Sequence, residues 1–251
     1  MKPRLSATII VKNGERTIER CLRSVSFADE IIVLDSGSTD QTLAIARRHT
    51  ECVHVSADWP GFGRQKNRAL DLATGEWVLS LDADEYLTSA LAEEIQRAIA
   101  KPDCAVYAVP RLSSYCGRTI RHSGWWPDDV VRLFRRGGAR FSDDLVHERL
   151  VFVGRCGRLA EPMHHESFHD LDDVLDKVNR YSTAGARQAL QRGRSGGVLK
   201  AVVHGLWAFV RTYFLRGGIL DGREGFLLAV SNAEGVYYRY LKLMYLREAE
   251  E

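Results

Sequence analysis

Asp82 and Asp84 stand two residues apart, with Glu85 next, at the end of the apolar run Trp77-Val78-Leu79-Ser80-Leu81. A run of that length reads as a buried strand. Carboxylates that close such a strand need a compensating charge. In extended chain, residues i and i+2 share a side, so the two aspartates are expected to converge. Paired carboxylates suit a hard divalent cation, Mg²⁺ or Mn²⁺, that keeps water and takes phosphate oxygens. Ligand crevices of open α/β sheets lie at this end of the strands. The chemistry implied is a metal–diphosphate site. The plainer reading is a solvated acidic turn leading into a helix near Ser89–Ala100. A calcium loop would need an oxygen ligand and then glycine where Tyr86 and Leu87 stand. An aspartyl-nucleophile phosphatase also places Asp-x-Asp after a strand, usually with a small β-branched residue at the Tyr86 position, and it stays as an alternative.

Two further stretches carry chemistry. Arg140-Phe141-Ser142-Asp143-Asp144-Leu145-Val146-His147-Glu148 crowds three carboxylates and an imidazole together. It is the place to look for a general base, unless it is only a hydrogen-bonded turn. Trp125 and Trp126 sit in a polar, glycine-containing loop, where an indole can stack on a sugar ring or a base, or where one of the two belongs to the core.

The elements that position these residues follow from the apolar pattern. Leu5–Val11, Ile31–Leu34 and Cys52–Val55 are predicted strands, with helical spacing at Ile18, Cys21, Leu22 and Val25 and again over Leu43–Arg48. Thr39 or Asp40 is placed to cap the second helix. The alternation implies parallel pairing and right-handed crossovers. A helix is predicted over Gln65–Thr74, with Lys66 and Arg68 near its start, close enough to its free amides to approach phosphate or simply to be solvated. Three predicted strands thus end in polar residues on one edge: Lys12-Asn13, Asp35-Ser36 and Asp82-Ala83-Asp84. Beyond residue 100, Ala105–Val109 and Val130–Phe134 read as strands, and from about Leu171 the pattern turns helical. Acids are absent from Arg187 until Asp221, a span that is aromatic, apolar and cationic. That combination suits the surface of an anionic membrane.

The totals bound the answer. The 251 residues, 45% hydrophobic and 27% charged, suffice for a good-sized domain plus an extension. A net charge of +2 argues against a nucleic-acid partner. Five cysteines without a Cys-x-x-Cys pair argue against a disulfide framework and a zinc site. Met1-Lys2-Pro3-Arg4 runs into a strand without a signal-peptide core, and no stretch of about 20 uncharged apolar residues appears, so a clean transmembrane helix is not expected.

The chain resembles the family 2 glycosyltransferases of the GT-A fold, and more narrowly the bacterial lipopolysaccharide inner-core β-1,4-glucosyltransferases. The resemblance covers essentially the whole chain. It is carried by Thr8-Ile9-Ile10-Val11-Lys12-Asn13, Asp35-Ser36-Gly37-Ser38-Thr39-Asp40, Asp58-Trp59-Pro60-Gly61-Phe62-Gly63-Arg64-Gln65-Lys66-Asn67, Asp82-Ala83-Asp84-Glu85, Gly124-Trp125-Trp126-Pro127-Asp128, Leu145-Val146-His147-Glu148 and Leu220-Asp221-Gly222.

The resemblance implies a Rossmann-like, mostly parallel mixed sheet flanked by helices over 1–166, with a nucleotide half to about residue 100 and an acceptor half after it. A helical, membrane-associating extension follows over 167–251. It implies an inverting, metal-dependent transfer of a hexose, glucose by the narrower resemblance, from a UDP-sugar to a hydroxyl of a lipid-linked core heptose. The enzyme would be peripheral on the cytoplasmic face of the inner membrane. Thr8 and Asp35 would hold the uracil, with Lys12, Lys66, Asn67 and Asp82 completing the nucleotide-sugar set. Asp82 and Asp84 would hold Mg²⁺ or Mn²⁺. Trp125, Trp126 and Arg132 would face the acceptor. The base is expected at Glu148, with Asp144 second and His147 beside it; His147-Glu148 departs from the family's commoner Glu-Asp. A non-catalytic membrane adaptor with a transferase fold is the other alternative.

Overall fold

The structure, a computed structural model, describes residues 3–142 and 149–249. Its centre is β1 (Leu5–Val11), buried at all seven positions. A strand buried on both faces cannot alternate apolar with polar, which is why this one reads as a continuous run. Leu5, Ala7, Ile9 and Val11 share a cluster with Ile18, Cys21 and Leu22 of α1 (Ile18–Ser24). Ile10 packs with Leu34 and with Ala69 of α3 (Phe62–Leu72). β1 pairs in parallel with β2 (Glu30–Asp35) and with β4 (Trp77–Asp82), and β2 pairs in parallel with β3 (Val53–Val55). The carboxyl ends of these strands therefore share one edge. α2 (Thr42–Ala46) begins after Gln41, and Asp40 instead accepts the Thr42 amide at 3.0 Å.

β4 passes through the turn at Ala83-Asp84 into β5 (Glu85–Leu87) before α4 (Ser89–Ala100). α4 is capped by Thr88, whose hydroxyl accepts the Leu91 amide, and it buries Leu91, Ile95 and Ile99 at helical spacing. β6 (Val106–Tyr115) and β8 (Asp129–Arg135) extend the sheet antiparallel beyond β4. β7 (Arg118–Thr119) pairs with β6 antiparallel and β11 (Cys156–Arg158) pairs with it in parallel. β9 (Ala139–Phe141) and β10 (Leu150–Phe152) form a separate antiparallel pair. β12 (Met163–Phe168) pairs antiparallel with β5 through Met163, His164 and His165. The sheet is thus mixed, parallel from β3 through β2 and β1 to β4, and antiparallel where β8 joins β4 and β12 joins β5.

The chain divides into two compact units, residues 1–111 with 128–165, and residues 112–127 with 166–251. The tryptophan loop belongs to the second. That unit is built on α5 (Leu171–Gln191), α6 (Val198–Val210) and α7 (Gly222–Glu248), with a π-helical turn (Arg211–Leu215) and a 3₁₀ turn (Gly218–Asp221) between the last two. Asp170 caps α5 by accepting the Asp173 amide at 2.9 Å. α7 starts so close to the preceding turn that a Cβ on Gly225 would overlap the Gly218 carbonyl oxygen. Gly225→Ala is therefore expected to cost about 1–3 kcal/mol through overpacking, despite alanine's better helix propensity. A thermal melt checks the sign; a stabilised variant would show that this helix start yields freely.

Candidate active site

β4 delivers Asp82 to the shared edge, and the chain then turns rather than continuing extended. Strand alternation therefore does not set the direction of Asp84, as the sequence spacing had implied. Asp82 lies between two cations. Lys66 Nζ is 2.9 Å from its Oδ1, and Arg132 donates to its Oδ2 at 2.7 Å. Both cations are buried. Burial alone would raise the Asp82 carboxyl, but Lys66 and Arg132 outweigh it and hold the group well below the usual carboxylate range. The acid is ionised and its charge is spoken for.

Glu85 completes the network and is missing from the sequence-predicted set. It has no exposed surface. Arg132 donates to its Oε1 at 2.7 Å, and its other oxygen accepts the Asp82 amide at 3.1 Å. Arg111 approaches the same carboxylate at 3.5 Å while holding Asp128 at 2.7 Å. A buried acid of this kind requires a nearby cation, and a cationic partner in sequence-distant β8 leaves no local signature. Arg132 was expected to face the acceptor; its guanidinium is committed to Asp82 and Glu85 instead.

Asp84 meets His165 of β12, with 3.4 Å between Oδ2 and Nε2. The neighbouring His164 stacks on Tyr86 at 5.0 Å, and the Arg20 guanidinium lies 5.1 Å from the same ring. Nothing in the sequence around 163–168 marks His165; only the pairing of β12 with β5 brings it here.

At β2, Asp35 folds back over its own turn. Its Oδ1 accepts the amides of Gly37 and Ser38 at 2.8 Å each, which requires the left-handed Gly37 (φ 84°). Its Oδ2 is buried without a hydrogen-bond partner among the described residues, as is Thr8 Oγ1. Thr8 stands in the middle of β1, three residues short of its end. Buried oxygens left unpaired in this way require an explanation, an ordered water or a ligand donor among them. Lys12 is exposed just past β1.

The helix carrying Lys66 starts at Phe62, after Gly61 (φ 104°), rather than at Gln65. Lys66 is thereby in the second turn and turned inward, with its ammonium 5.3 Å from the Phe141 ring. Asn67 clips β9, donating to the Phe141 carbonyl and accepting its amide, both at 2.9 Å. Arg68 pairs with Asp58, whose carboxyl falls to about 2 under hydrogen bonds from Arg68 and Ser56.

Among the described residues no three His, Cys, Asp or Glu side chains gather as a metal cage. Mg²⁺ and Mn²⁺ on a diphosphate need less, one or two carboxylates with water and phosphate oxygens supplying the rest. Asp84, with His165 beside it, fits that requirement. Asp82, expected as the second ligand, has both oxygens bonded to cations and fits it less well. Asp144, His147 and Glu148 lie outside the described residues. In the second unit, Trp125 packs against Phe168 at 6.1 Å and Tyr115 at 6.3 Å, while Trp126 is half-buried.

Residues 6–154 match the family model described as glycosyl transferase family 2. The lipopolysaccharide core biosynthesis glycosyltransferase LpsC of Rhizobium meliloti is 32% identical, over 98% of this chain and 93% of its own. An uncharacterized glycosyltransferase of Rickettsia felis is 30% identical, over 98% of this chain and 90% of its own. Among solved structures, Staphylococcus aureus TarS 1–349 aligns with a TM-score of 0.50 over 98% of this chain and 92% of that one. At 16% identity this is a likeness of fold alone.

Proposed function

Given that the chain belongs to glycosyl transferase family 2, we propose that it transfers a hexose from a UDP-sugar to a hydroxyl of an anionic, lipid-linked saccharide, with inversion. The observation that carries the donor assignment is the spare, buried Oδ2 of Asp35. An imide N–H of uracil is a donor of the right kind for it; Thr8, expected beside it, lies opposite Ile32 rather than Asp35 in the β1–β2 register. The name of LpsC supports a lipopolysaccharide-core acceptor, and glucose is the hexose favoured by the narrower resemblance.

A divalent cation, when bound, would neutralise the leaving diphosphate. Asp84 would hold it, with His165 beside that carboxylate. The chain's own contribution is electrostatic. Asp82 is kept ionised and in place by Lys66 and Arg132. Lys66 meets Asp82 at the carboxyl end of β4, where its charge would favour a diphosphate. Glu148 is proposed as the base that deprotonates the acceptor hydroxyl, with Asp144 second. No protein nucleophile is needed for a single displacement.

UDP with Mn²⁺ at 100 times its dissociation constant is expected to stabilise the fold by about 2.7 kcal/mol. ADP should do so far less. A melt unmoved by UDP would favour the phosphatase or the adaptor. Asp35→Asn tests the uracil contact directly. Its carbonyl can keep the turn, but its amide then presents a donor where an acceptor was needed. The loss of a hydrogen bond to a charged group, about 1.5–3 kcal/mol, corresponds to UDP binding roughly tenfold weaker or worse by calorimetry. Unchanged affinity would remove Asp35 from the site.

The second unit supports contact with the inner membrane. Leu199, Leu206, Trp207, Phe214 and Leu215 are exposed along Val198–Leu215, interspersed with Lys200 and Arg211. The segment has the length and composition of a span, with mean hydropathy 1.2 and 22% of it buried. Its charges and flanking Arg194 and Arg216 favour lying in the interface of an anionic leaflet. Co-sedimentation with phosphatidylglycerol vesicles and not with phosphatidylcholine ones is the expected result.

A further inference from the structure

We propose that the groove between α5 and α7 is a subsite for a phosphorylated saccharide of the acceptor, a proposal that rests on the transferase reading above. The groove has a volume of about 280 Å³. That is at the small end for ligand pockets, which start near about 300 Å³, and suits a single sugar ring with its phosphate.

Its walls carry three kinds of group. Tyr115, Trp125, Phe168 and Tyr181 supply aromatic surface, and Tyr181 stands exposed at the rim. Such faces pack against the C–H faces of sugars. Lys177 and Arg239 supply two positive charges, and among the described residues no acid lines the groove. The nearby Glu234 acts electrostatically on Tyr115 from outside the lining. The Lys177 ammonium lies 4.4 Å from the Phe168 ring and donates to the Ser167 carbonyl at 2.5 Å, so a cation is fixed against the aromatic wall. The stem of Arg239 crosses Gly185, where a Cβ would come within 2.9 Å of its Cδ. Ser231 and Asn232 complete the wall. Polar groups there would be buried at a cost by an acyl chain, whereas sugar hydroxyls pair with them. Two cations in the lining favour an anion, and phosphate is the one a guanidinium grips best.

The same geometry gives the Leu220-Asp221-Gly222 motif a task. The buried Asp221 carboxylate accepts the amides of Arg121 at 3.0 Å and His122 at 3.1 Å, and the Ser123 hydroxyl at 2.9 Å. The Trp125 amide then donates to the His122 carbonyl at 3.0 Å. Asp221 is therefore a positioning residue that fixes the turn from which Trp125 enters the aromatic wall.

The test uses the full chain and glucose 6-phosphate as probe, with glucose, inorganic phosphate and dodecyl phosphate beside it, by calorimetry without UDP. Glucose 6-phosphate is expected to bind more tightly than glucose or phosphate. Arg239→Gln and Lys177→Gln should each weaken it roughly tenfold, with melting temperature and the UDP-induced shift retained. Unchanged affinity in both variants would overturn the proposal. So would inorganic phosphate binding as tightly as the sugar phosphate, or dodecyl phosphate binding where glucose 6-phosphate does not. Loss of the UDP shift in the parent protein would instead strike the transferase reading, since groove binding is read without nucleotide.

Discussion

Arg132→Leu is expected to lower stability by about 3–5 kcal/mol, the effect of removing one partner from a buried ion pair. Leucine restores much of the volume but strands two acids. Glu85 is wholly buried and keeps Arg111, at 3.5 Å, as its cationic neighbour among the described residues. Asp82 keeps Lys66. Against a whole-domain stability of about 5–15 kcal/mol, this is a large fraction. The urea midpoint measures it, and an unmoved midpoint would mean that the network contributes nothing. Adding Glu85→Gln should recover part of the loss, because the uncompensated charge goes with it. The network also sets a pH dependence in metal-free protein. Asp82's folded-state pKa lies below its unfolded value of about 3.9, so its stabilisation is complete above about pH 5 and is lost as pH falls toward the folded value. Arg132→Leu removes one of the two cations responsible. The acid limb of its stability curve should be shallower than that of the parent.

That network shows where sequence reading stops. β4 was legible because an apolar run ending in three acids demands a counter-charge. The suppliers were not. Lys66 reads as a basic residue near a helix start until Gly61, with its positive φ, moves that start to Phe62 and turns Lys66 inward. Arg132 interrupts Val130-Val131 and Leu133-Phe134. A lone cation in a strand reads as facing solvent or ligand, since its partners lie 47 and 50 residues away. His165 arrives through strand pairing alone. By contrast the Asp35 turn was legible, because a strand ending in Asp-Ser-Gly-Ser has a local physical reason to curl back on its carboxylate. The tryptophan pair was half legible. Composition marks the loop as a stacking site, but only the contacts with Tyr115 and Phe168 identify Trp125 as the one inside the aromatic wall.

Asp84→Asn and Glu148→Gln are expected to lower turnover alike and to differ in binding. Asparagine at 84 keeps the shape of the side chain and removes the charge a hard cation requires. Metal-dependent UDP binding should weaken with turnover, and raising Mn²⁺ should restore part of both. Glutamine at 148 removes the proposed base and none of the proposed donor contacts, so UDP should bind as before. A positioned base contributes about 10²–10⁴ in rate, and its loss should appear in kcat. Retained UDP binding with turnover reduced by that factor, unrescued by Mn²⁺, assigns Glu148 as base. If Asp144→Asn alone gives this pattern, the base is Asp144 and the imidazole–carboxylate pair at 147–148 has another task. If Asp84→Asn transfers sugar at the parent rate, the cation does not depend on that carboxylate. The leaving diphosphate would then have to be met by protein cations, of which Lys66, already held at this strand edge, is the first to test.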